Sequence, residues 1–435
     1  MTHTERKTAP AFKEIEKVEI LRAQKNKLKN GVPVYIINAG TEEVLKIDFI
    51  FRAGTFAAIS ENASGISNPL LATAVNHLIP EGTLRHSSSE IAENIDYFGA
   101  FIHTDCDKDI ATVSLITLNK HLESTLPLFE EIIKEADFPE KEMNTYLQNT
   151  KQKFIVDSEK VHVVSRRKFN EVIFGKEHPY GKNVELEDFG TLSIKDLKNY
   201  FRKYYSPGNC QIIVSGKITE NVFSVLDGHF GNWAGSVETR HAPVPINSNI
   251  DKKHFIERKN QVQSAIRIGR PLFSKNHPDY PAMKILNVLL GGYFGSRLMT
   301  NIREDKGYTY GIGSAVFPLV YEGCFFISTE VGADVTPNAL KEIYYEIAQL
   351  REKKVSSDEL QKVRNYMLGE FIRSIDGPFA LADRLKGLLV FGLGYDYYDN
   401  FIRTIKNTSP LTIQELAQKY LQEEDLYEVV VGSKN

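Results

Sequence analysis

The segment 70–83 is the place where this chain comes closest to a metal-binding motif. If the segment is helical, Thr73 and His77 lie four residues apart on one face, a spacing that suits two metal ligands. A catalytic zinc ion needs three thiolate, imidazole or carboxylate ligands and an open position for water. Thr73 offers only a weakly coordinating hydroxyl, Asn76 offers an amide that cannot take a proton from that water, and only His77 could ligate. The residues alone therefore favour a structural helix over a catalytic metal site.

The composition is that of an ordinary folded protein. Of its 435 residues, 42% are hydrophobic and 25% are charged, which excludes extended disorder. This length exceeds what one hydrophobic core usually supports, so we expect two domains or more. The net charge is -3 and the lysines and arginines are scattered, which argues against nucleic acid and against an anionic membrane as partners.

The three cysteines indicate a reducing compartment. Cys106, Cys210 and Cys324 are odd in number and far apart, which is typical of free thiols rather than of a disulfide framework or a zinc knuckle. Residues 1–14 lack the apolar core of a signal peptide, and no later stretch approaches the length of a membrane span. We therefore expect a cytoplasmic protein, or a periplasmic one if a signal peptide has been removed.

The elements that must position the 70–83 segment alternate between strands and helices. Period-two alternation and apolar runs indicate strands, and apolar residues three and four apart indicate helices. In chain order, the pattern predicts strands at 34–37 and 45–52, the helix within 70–83, a helix at 88–97, strands at 101–104 and 110–118, helices at 122–136, 141–174 and 194–205, and a strand at 210–216. Residues 235–251 contain two prolines and show no periodicity, so we interpret them as a linker.

The second half of the sequence repeats the first. Gly295 takes the place of Gly82, which gives an offset of 213 residues. The same offset carries the strand 110–118 onto 323–331 and the helix 124–133 onto 337–346, while residues 264–268, 285–290 and 427–432 answer the strand 45–52, the helix around Thr73 and the strand 212–216. Several elements at one offset indicate a duplication. We predict an α+β protein of two homologous domains, residues 1–234 and 252–435, each a mostly antiparallel sheet covered by helices.

Four motifs resemble those of the pitrilysin-type zinc peptidases, whose zinc motif is the inverted H-x-x-E-H. They are N-H-L-I-P-E-G-T at 76–83, where the family has E-H-M-x-F-x-G-T, F-G-K-E-H-P-Y-G at 174–181, Y-Y-S-P-G-N at 204–209 and G-G-Y-F-G-S-R-L at 291–298. The family includes insulin-degrading enzyme and mitochondrial processing peptidase, and the resemblance covers nearly the whole chain. It implies a clam-shell in which the two domains face each other around an enclosed cavity.

This sequence departs from the family at the zinc motif. In the catalytic members two histidines and a distal glutamate hold zinc, and the glutamate inside the motif activates water. Here Thr73 stands at the first histidine, Asn76 stands at the base, and no glutamate lies between Glu142 and Glu159, where the distal ligand is expected. The resemblance therefore implies no metal and no cofactor in this chain, with His77 as a remnant.

The second half keeps its share of the family's site. Arg303 and Tyr310 match the family's Arg/Tyr pair, which in relatives is thought to orient the substrate and to stabilise charge on the scissile carbonyl oxygen. The alternative is a surface arginine on a helix and a tyrosine that packs at the start of a strand. The segment with Phe101, His103 and Thr104 corresponds to the family's edge strand, to which a peptide can add, and this edge or a plain turn is favoured over metal ligation.

Some members of the family work as pairs in which one chain carries the zinc site and the other carries the Arg/Tyr pair. The resemblance implies that this chain is the second kind: a non-catalytic subunit of a heterodimeric zinc endopeptidase that acts on peptides or unfolded polypeptide. Zinc is then expected in the partner, which carries the H-x-x-E-H motif. Two alternatives stay open, namely a peptide-binding or structural subunit like the family's core subunits in respiratory complexes, and a homodimeric hydrolase with an unrecognised site.

Overall fold

The computed structural model describes residues 18–60, 68–235 and 241–434, in which eleven strands form two sheets. The strands are β1 Gln24–Lys27, β2 Pro33–Asn38, β3 Val44–Phe51, β4 Phe101–Cys106, β5 Ala111–Leu118, β6 Cys210–Gly216, β7 Lys253–Glu257, β8 Gln263–Leu272, β9 Ile312–Pro318, β10 Gly323–Gly332 and β11 Tyr427–Gly432. The first sheet has the order β1-β2-β6-β3-β5-β4 and the second has the order β7-β11-β8-β10-β9. Each sheet contains one parallel pair, β2 with β6 and β7 with β11, and its other pairs are antiparallel.

Fourteen α-helices occur in the same described ranges. They are α1 Thr55–Ser60, α2 Leu71–Leu78, α3 Ser88–Tyr97, α4 Leu122–Glu135, α5 Glu140–Ser158, α6 Val161–Phe174, α7 Ile194–Tyr204, α8 Val222–Phe230, α9 Tyr280–Asn287, α10 Thr336–Glu352, α11 Ser357–Arg373, α12 Pro378–Leu389, α13 Asp396–Asn407 and α14 Pro410–Tyr420. Two π-helical turns, Val288–Gly292 and Met299–Asp305, follow α9. None of the helices in these ranges combines the length and the apolar character that crossing a membrane requires.

Each sheet has its own hydrophobic core on one face. In the first sheet, Phe49 of β3 contacts Phe129 of α4 and Phe230 of α8, with ring centroids 5.4 and 4.6 Å apart. In the second sheet, Phe325 of β10 and Ile343 of α10 belong to the corresponding core. The predicted fold class is therefore confirmed: the protein is α+β, with two mostly antiparallel sheets covered by helices.

The opposite face of each sheet is covered by a helix from the other half of the chain. The helix α6 packs on β8 and β11, where Phe169 shares an apolar cluster with Ala265 and Val429. The helix α12 packs on β2 and β6, where Leu385 shares a cluster with Ile213. The sequence analysis predicts a helix that includes α6 but none at α12, and it does not indicate which sheet either helix covers.

The predicted helix at 141–174 is wrong in one respect, because it is two helices. The backbone leaves the helical conformation at Lys160, which has φ −79° and ψ 122°, between the end of α5 and the start of α6. This break lets α5 pack on α2 while α6 packs on the second sheet. The 70–83 helix is also shorter than its segment: α2 ends at Leu78, and the tighter turn Ile79–Glu81 follows, with Pro80 in its first turn.

The repeat is present, but the constant offset of 213 residues is wrong for the strands β5 and β10. That offset matches Val113, which lies in the first core, with Phe326, which faces the opposite side of its sheet and contacts Phe169 of α6. Neighbouring residues of a strand point to opposite faces, so an error of one residue exchanges core and outer positions. An offset of 214 matches Val113 with Ile327 in the second core and the end of β5 with the end of β10.

The predicted linker at 235–251 lies partly outside the described residues, since 236–240 are not among them, and so does the start of the predicted first domain, residues 1–17. The described part of the linker crosses from the first sheet to the second along α6. Asn247 and Asn249 donate backbone hydrogen bonds to Phe174 and Val172 of that helix. The boundaries at 234 and 252 stay a prediction.

Candidate functional site

The side chains of Thr73 and His77 contact α5 instead of forming a metal-binding pair. The Thr73 hydroxyl donates to the Leu70 carbonyl at 2.9 Å, a bond within its own helix. The exposed His77 ring packs on the Tyr146 ring of α5, with centroids 4.8 Å apart. Burial raises the pKa of the Tyr146 phenol, and hydrogen bonds with Thr73 and Thr150 oppose that rise. The Tyr146 ring, with its neutral hydroxyl, thus lies beside Thr73 and His77, the two positions whose spacing suits metal ligands.

Asn76 is buried and fully engaged with protein groups. Its side chain is 2% exposed, and its Nδ2 donates to the Thr112 carbonyl at 3.3 Å and to the Tyr205 hydroxyl at 3.1 Å. Burial raises the pKa of Tyr205 well above its usual value, so this phenol stays protonated. The amide holds the position by donating two hydrogen bonds, which an ionised carboxylate cannot do.

These residues do not fit a catalytic zinc ion. Of the three motif positions, only His77 carries a group that zinc binds well, while Thr73 and Asn76 use their polar atoms in bonds within the fold. Within residues 18–60, 68–235 and 241–434, no three His, Cys, Asp or Glu side chains come together in a way that could hold a metal ion. Sequence reasoning missed Tyr146. The available signal was its place between Glu142 and Glu159, the stretch without a distal ligand.

The strand β4 lies at the edge of the first sheet, next to α2. Phe101 is 64% exposed and His103 is also exposed, whereas Thr104 points to the opposite face and is half-buried. On that second face, burial raises the pKa of the Cys106 thiol, which makes it a poor nucleophile and a poor ligand. The three predicted edge residues therefore share one strand but not one face.

Arg303 and Tyr310 come together just before β9, the edge strand of the second sheet. Arg303 lies in the π-helical turn Met299–Asp305, and its Nε donates to the Tyr310 carbonyl at 3.0 Å. Its guanidinium lies over the Phe294 ring, 4.6 Å from the centroid. The Tyr310 side chain is 95% exposed, so it does not pack on the sheet as the structural alternative requires. The backbone of one member of the pair is thus fixed by the side chain of the other.

The hairpins that follow the two edge strands meet at Asp109. One oxygen of Asp109, in the β4–β5 turn, accepts from the Tyr180 hydroxyl at 2.5 Å, and the other accepts from the Val320 backbone N–H, in the β9–β10 turn, at 3.0 Å. Burial raises the pKa of Asp109 to about 6, although these hydrogen bonds oppose the rise. Tyr180 and His178 of the 174–181 motif are both buried here. One carboxylate therefore connects the ends of both edge strands.

Comparison with known proteins identifies relatives that match most of this chain. Residues 191–367 match the peptidase M16 inactive domain. The chain is 24% identical over 415 residues to an uncharacterised zinc protease, YmxG, of Bacillus subtilis, a match that covers 94% of this chain and 98% of that protein. It is 19% identical over 395 residues to a protein of Helicobacter pylori named as a non-peptidase homolog, with 89% of each sequence covered.

A solved structure shows the same fold. The crystal structure of a peptidase M16 inactive domain from Pseudomonas fluorescens superimposes with a TM-score of 0.86 at 21% identity, covering 95% of this chain and 98% of that one. The protein thus has a pitrilysin-type, two-domain fold. The chain is thus similar over nearly its whole length to zinc proteases and to a non-peptidase homolog, and residues 191–367 match the inactive domain of the M16 peptidases.

Proposed function

We propose that this chain is the non-catalytic subunit of a two-chain zinc endopeptidase that acts on peptides or unfolded polypeptide. Its partner carries the H-x-x-E-H motif and the zinc ion, and both act in the cytoplasm. The single observation that best supports this role is the exposed Tyr310 phenol, whose backbone is fixed by Arg303. The presence of three free cysteines agrees with a reducing compartment.

The proposed role assigns a task to each donor of the pair. Arg303 uses Nε for the Tyr310 carbonyl, which leaves the N–H groups of its two terminal nitrogens for a ligand. The Tyr310 hydroxyl is a second donor, and neither group has to move through a packed core to reach a carbonyl oxygen. Donors fixed in advance at a developing negative charge stabilise it without reorganisation, which is the basis of oxyanion stabilisation. In the assembled pair, the water and its activation come from the other subunit.

The substrate is proposed to lie along the edge strand β4. An extended peptide can add there through main-chain hydrogen bonds, with Phe101 and His103 contacting its side chains on one face and Thr104 on the other. A peptide-binding or structural subunit without a proteolytic role is the second candidate. It is favoured by the internal bonding of Asn76, because the former zinc pocket now contributes to stability.

The decisive experiment is reconstitution of cleavage. The purified chain should bind no stoichiometric zinc and should not cleave a fluorogenic unstructured peptide, whereas a mixture with the H-x-x-E-H protein encoded beside it should cleave. In that mixture, Arg303→Ala and Tyr310→Phe should each lower kcat/KM by about 10²-fold, the size expected for one lost oxyanion donor. Arg403→Ala and Tyr345→Phe are matched controls, because both side chains are exposed on helices of the same half.

Chelator-sensitive cleavage by the purified subunit on its own would contradict the proposal. Cleavage by the mixture that is indifferent to Arg303→Ala and Tyr310→Phe would reject the role of the pair and favour the structural candidate. A complex that forms but never cleaves any unstructured peptide would do the same.

A further inference from the structure

A cavity of about 420 Å³ opens beside Tyr310, between α6 and the outer face of the second sheet. Arg166 of α6 and Arg267 of β8 both line it, as does Ser328, which pairs with Arg267 across the β8–β10 ladder. The cavity is thus bounded by both halves of the chain. Its position next to Tyr310 brings it within reach of any peptide that the Arg/Tyr pair would orient.

The two arginines place positive charge in this cavity without a carboxylate in direct contact with either of them among the described residues. The Arg267 guanidinium lies over the Phe326 ring, 4.5 Å from the centroid, and its pKa is lowered to about 10 by burial and by the neighbouring charge of Arg166. Among the described residues, neither arginine forms an ion pair with a carboxylate. The one acidic residue that lines the cavity, Glu330, lies 3.4 Å from His162 instead. Arg267 is half-buried and Arg166 is exposed, and an anion between the two guanidinium groups would offset their mutual repulsion.

The first sheet shows what the same positions look like when their charges are neutralised within the protein. Asp48 pairs with Ser114 across the β3–β5 ladder, as Arg267 pairs with Ser328 in the second sheet. Asp48 accepts a hydrogen bond from Ser114 at 2.5 Å, and Lys46 lies 3.1 Å from Asp48 and 3.7 Å from Asp383.

The helices that cover the two sheets, α12 and α6, also carry charged residues at equivalent positions. Asp383 is the sixth residue of α12, and Arg166 is the sixth residue of α6. In the first sheet, two acidic side chains share one lysine from the same protein. In the second sheet, two basic side chains occupy the equivalent places, and the described residues supply no acidic group to bridge them.

We propose that this cavity binds the carboxylate of a peptide ligand, from an acidic side chain or from the terminal carboxylate of the peptide, between Arg166 and Arg267. The inference deepens the proposed function, on which it rests, because it names acidic peptides as the preferred ligands. Arginine is suited to this task, since its planar N–H groups match the two oxygens of a carboxylate. Ser328 supplies a hydroxyl on the same wall.

The test compares matched fluorescent peptides binding to the full-length protein by anisotropy. One unstructured peptide carries a central Glu and a free terminal carboxylate, and its variants replace Glu by Gln, amidate the terminal carboxylate, or do both. The peptide with the bound carboxylate should bind about tenfold or more tightly than the one without it, the size of a charge-assisted hydrogen bond. The substitution that abolishes the preference identifies the source of the carboxylate.

Arg166→Gln and Arg267→Met should each reduce that preference to about threefold or less, whereas Arg267→Lys should keep part of it. Arg403→Gln, an exposed arginine that bonds only to Asn400 among its described partners, should leave it unchanged. Circular dichroism and the Tm of each variant separate loss of fold from loss of binding.

Each remaining outcome has a definite meaning. Equal affinity for all four peptides rejects the carboxylate site but leaves the proposed function standing, because peptide binding persists. No binding of any peptide contradicts both. If inorganic phosphate displaces the acidic peptide at low millimolar concentration and raises the Tm of wild type but not of Arg267→Met, while the acidic peptide shows no advantage over the neutral one, the site is a phosphate site and the carboxylate assignment is wrong.

Discussion

The edges at β4 and β9 occupy equivalent places in the two sheets, yet their polar side chains are used in opposite ways. At the first edge, Asn76 bonds to Tyr205 inside the fold, and His77 is covered on one side by Tyr146. At the second edge, Tyr310 projects into solvent, and the guanidinium of Arg303 fixes its backbone. The polar residues near β4 thus contact other parts of the protein, whereas Tyr310 near β9 is exposed.

The two halves keep the same scaffold although the polar side chains at the two edges differ. The helix α2 packs on β4, β5 and α7 through its apolar residues, and Asn76 adds hydrogen bonds to Thr112 of β5 and to Tyr205 at the end of α7. Three predictions test whether the two halves differ in this way, and they are ordered by expected effect.

The largest effect is expected from Asn76→Glu, which restores the family's base at the first edge. An ionised carboxylate cannot donate to the Thr112 carbonyl, and the carboxyl must either stay ionised or take up a proton against its ordinary pKa in a place that is 2% exposed. An uncompensated buried charge costs about 3–5 kcal/mol, so the free energy of unfolding should fall by at least about 3 kcal/mol. Urea unfolding followed by circular dichroism measures the change.

Asn76→Gln is the matched control, because it adds the same methylene group and keeps the amide donor. The free energy of unfolding should fall clearly less for Asn76→Gln than for Asn76→Glu. If both variants are equally destabilised, length and not charge is responsible. If the Glu variant is as stable as wild type, the first edge still tolerates a base, and the contrast between the two edges fails.

Much of this contrast could be predicted from sequence, because it depends on local residue types. The residue types at Thr73 and Asn76 and the match of Arg303 and Tyr310 are read from motifs. Periodicity predicts eight of the eleven strands in the described residues and misses β1, β7 and β9. The helix at 88–97 and the strands at 210–216 and 427–432 have the predicted bounds. These elements carry strong local signals, such as the Ser87 capping box of α3.

The rest depends on contacts between distant segments, which periodicity does not reveal. The ring of Tyr146 meets His77 only because α5 ends at Ser158 and packs on α2. The packing of α6 on the second sheet and of α12 on the first likewise depends on contacts between residues far apart in the sequence. Asp48 corresponds to Arg267 only when β5 and β10 are matched at an offset of 214 residues. With an offset of 213, the two strands are matched one residue out of register, and every side chain is compared with one on the opposite face.

The second prediction removes one cation from each sheet, Lys46 from the first and Arg267 from the second, and compares the two losses of stability. Lys46→Met leaves Asp48, which is 1% exposed, without its nearest cation and should lower the free energy of unfolding by about 2 kcal/mol. Arg267→Met keeps the contact with Phe326 and removes a charge that has no carboxylate partner among the described residues, so the change should stay within about 1 kcal/mol. Paired urea titrations at one pH measure both.

Lys386→Met serves as the control for loss of a lysine, because Lys386 pairs only with the exposed Asp383 among the described carboxylates. It should cost less than about 1 kcal/mol. A loss from Arg267→Met as large as that from Lys46→Met would mean that Arg267 is already neutralised within the protein. The difference between the two sheets would then disappear.

The smallest effect is expected where the two halves meet, at Asp109. The folded state raises the pKa of this carboxyl to about 6 by burial, while the unfolded chain has the ordinary value near 4. The folded state therefore binds the proton more tightly. The resulting stabilisation is complete below the unfolded pKa and is lost as the pH rises through the folded one. Between pH 5 and pH 7, this group should lower the free energy of unfolding by about 1 kcal/mol.

Comparison with Asp109→Asn isolates this contribution, because the amide does not titrate and its oxygen can still accept a hydrogen bond from Tyr180 or Val320. The difference in the free energy of unfolding between wild type and Asp109→Asn should shift by about 1 kcal/mol in favour of the variant from pH 5 to pH 7. His178, buried in the same cluster with a pKa lowered by burial, is present in both proteins and cancels. A pH-independent difference would mean that Asp109 keeps an ordinary pKa and that the junction of the two hairpins is open to water.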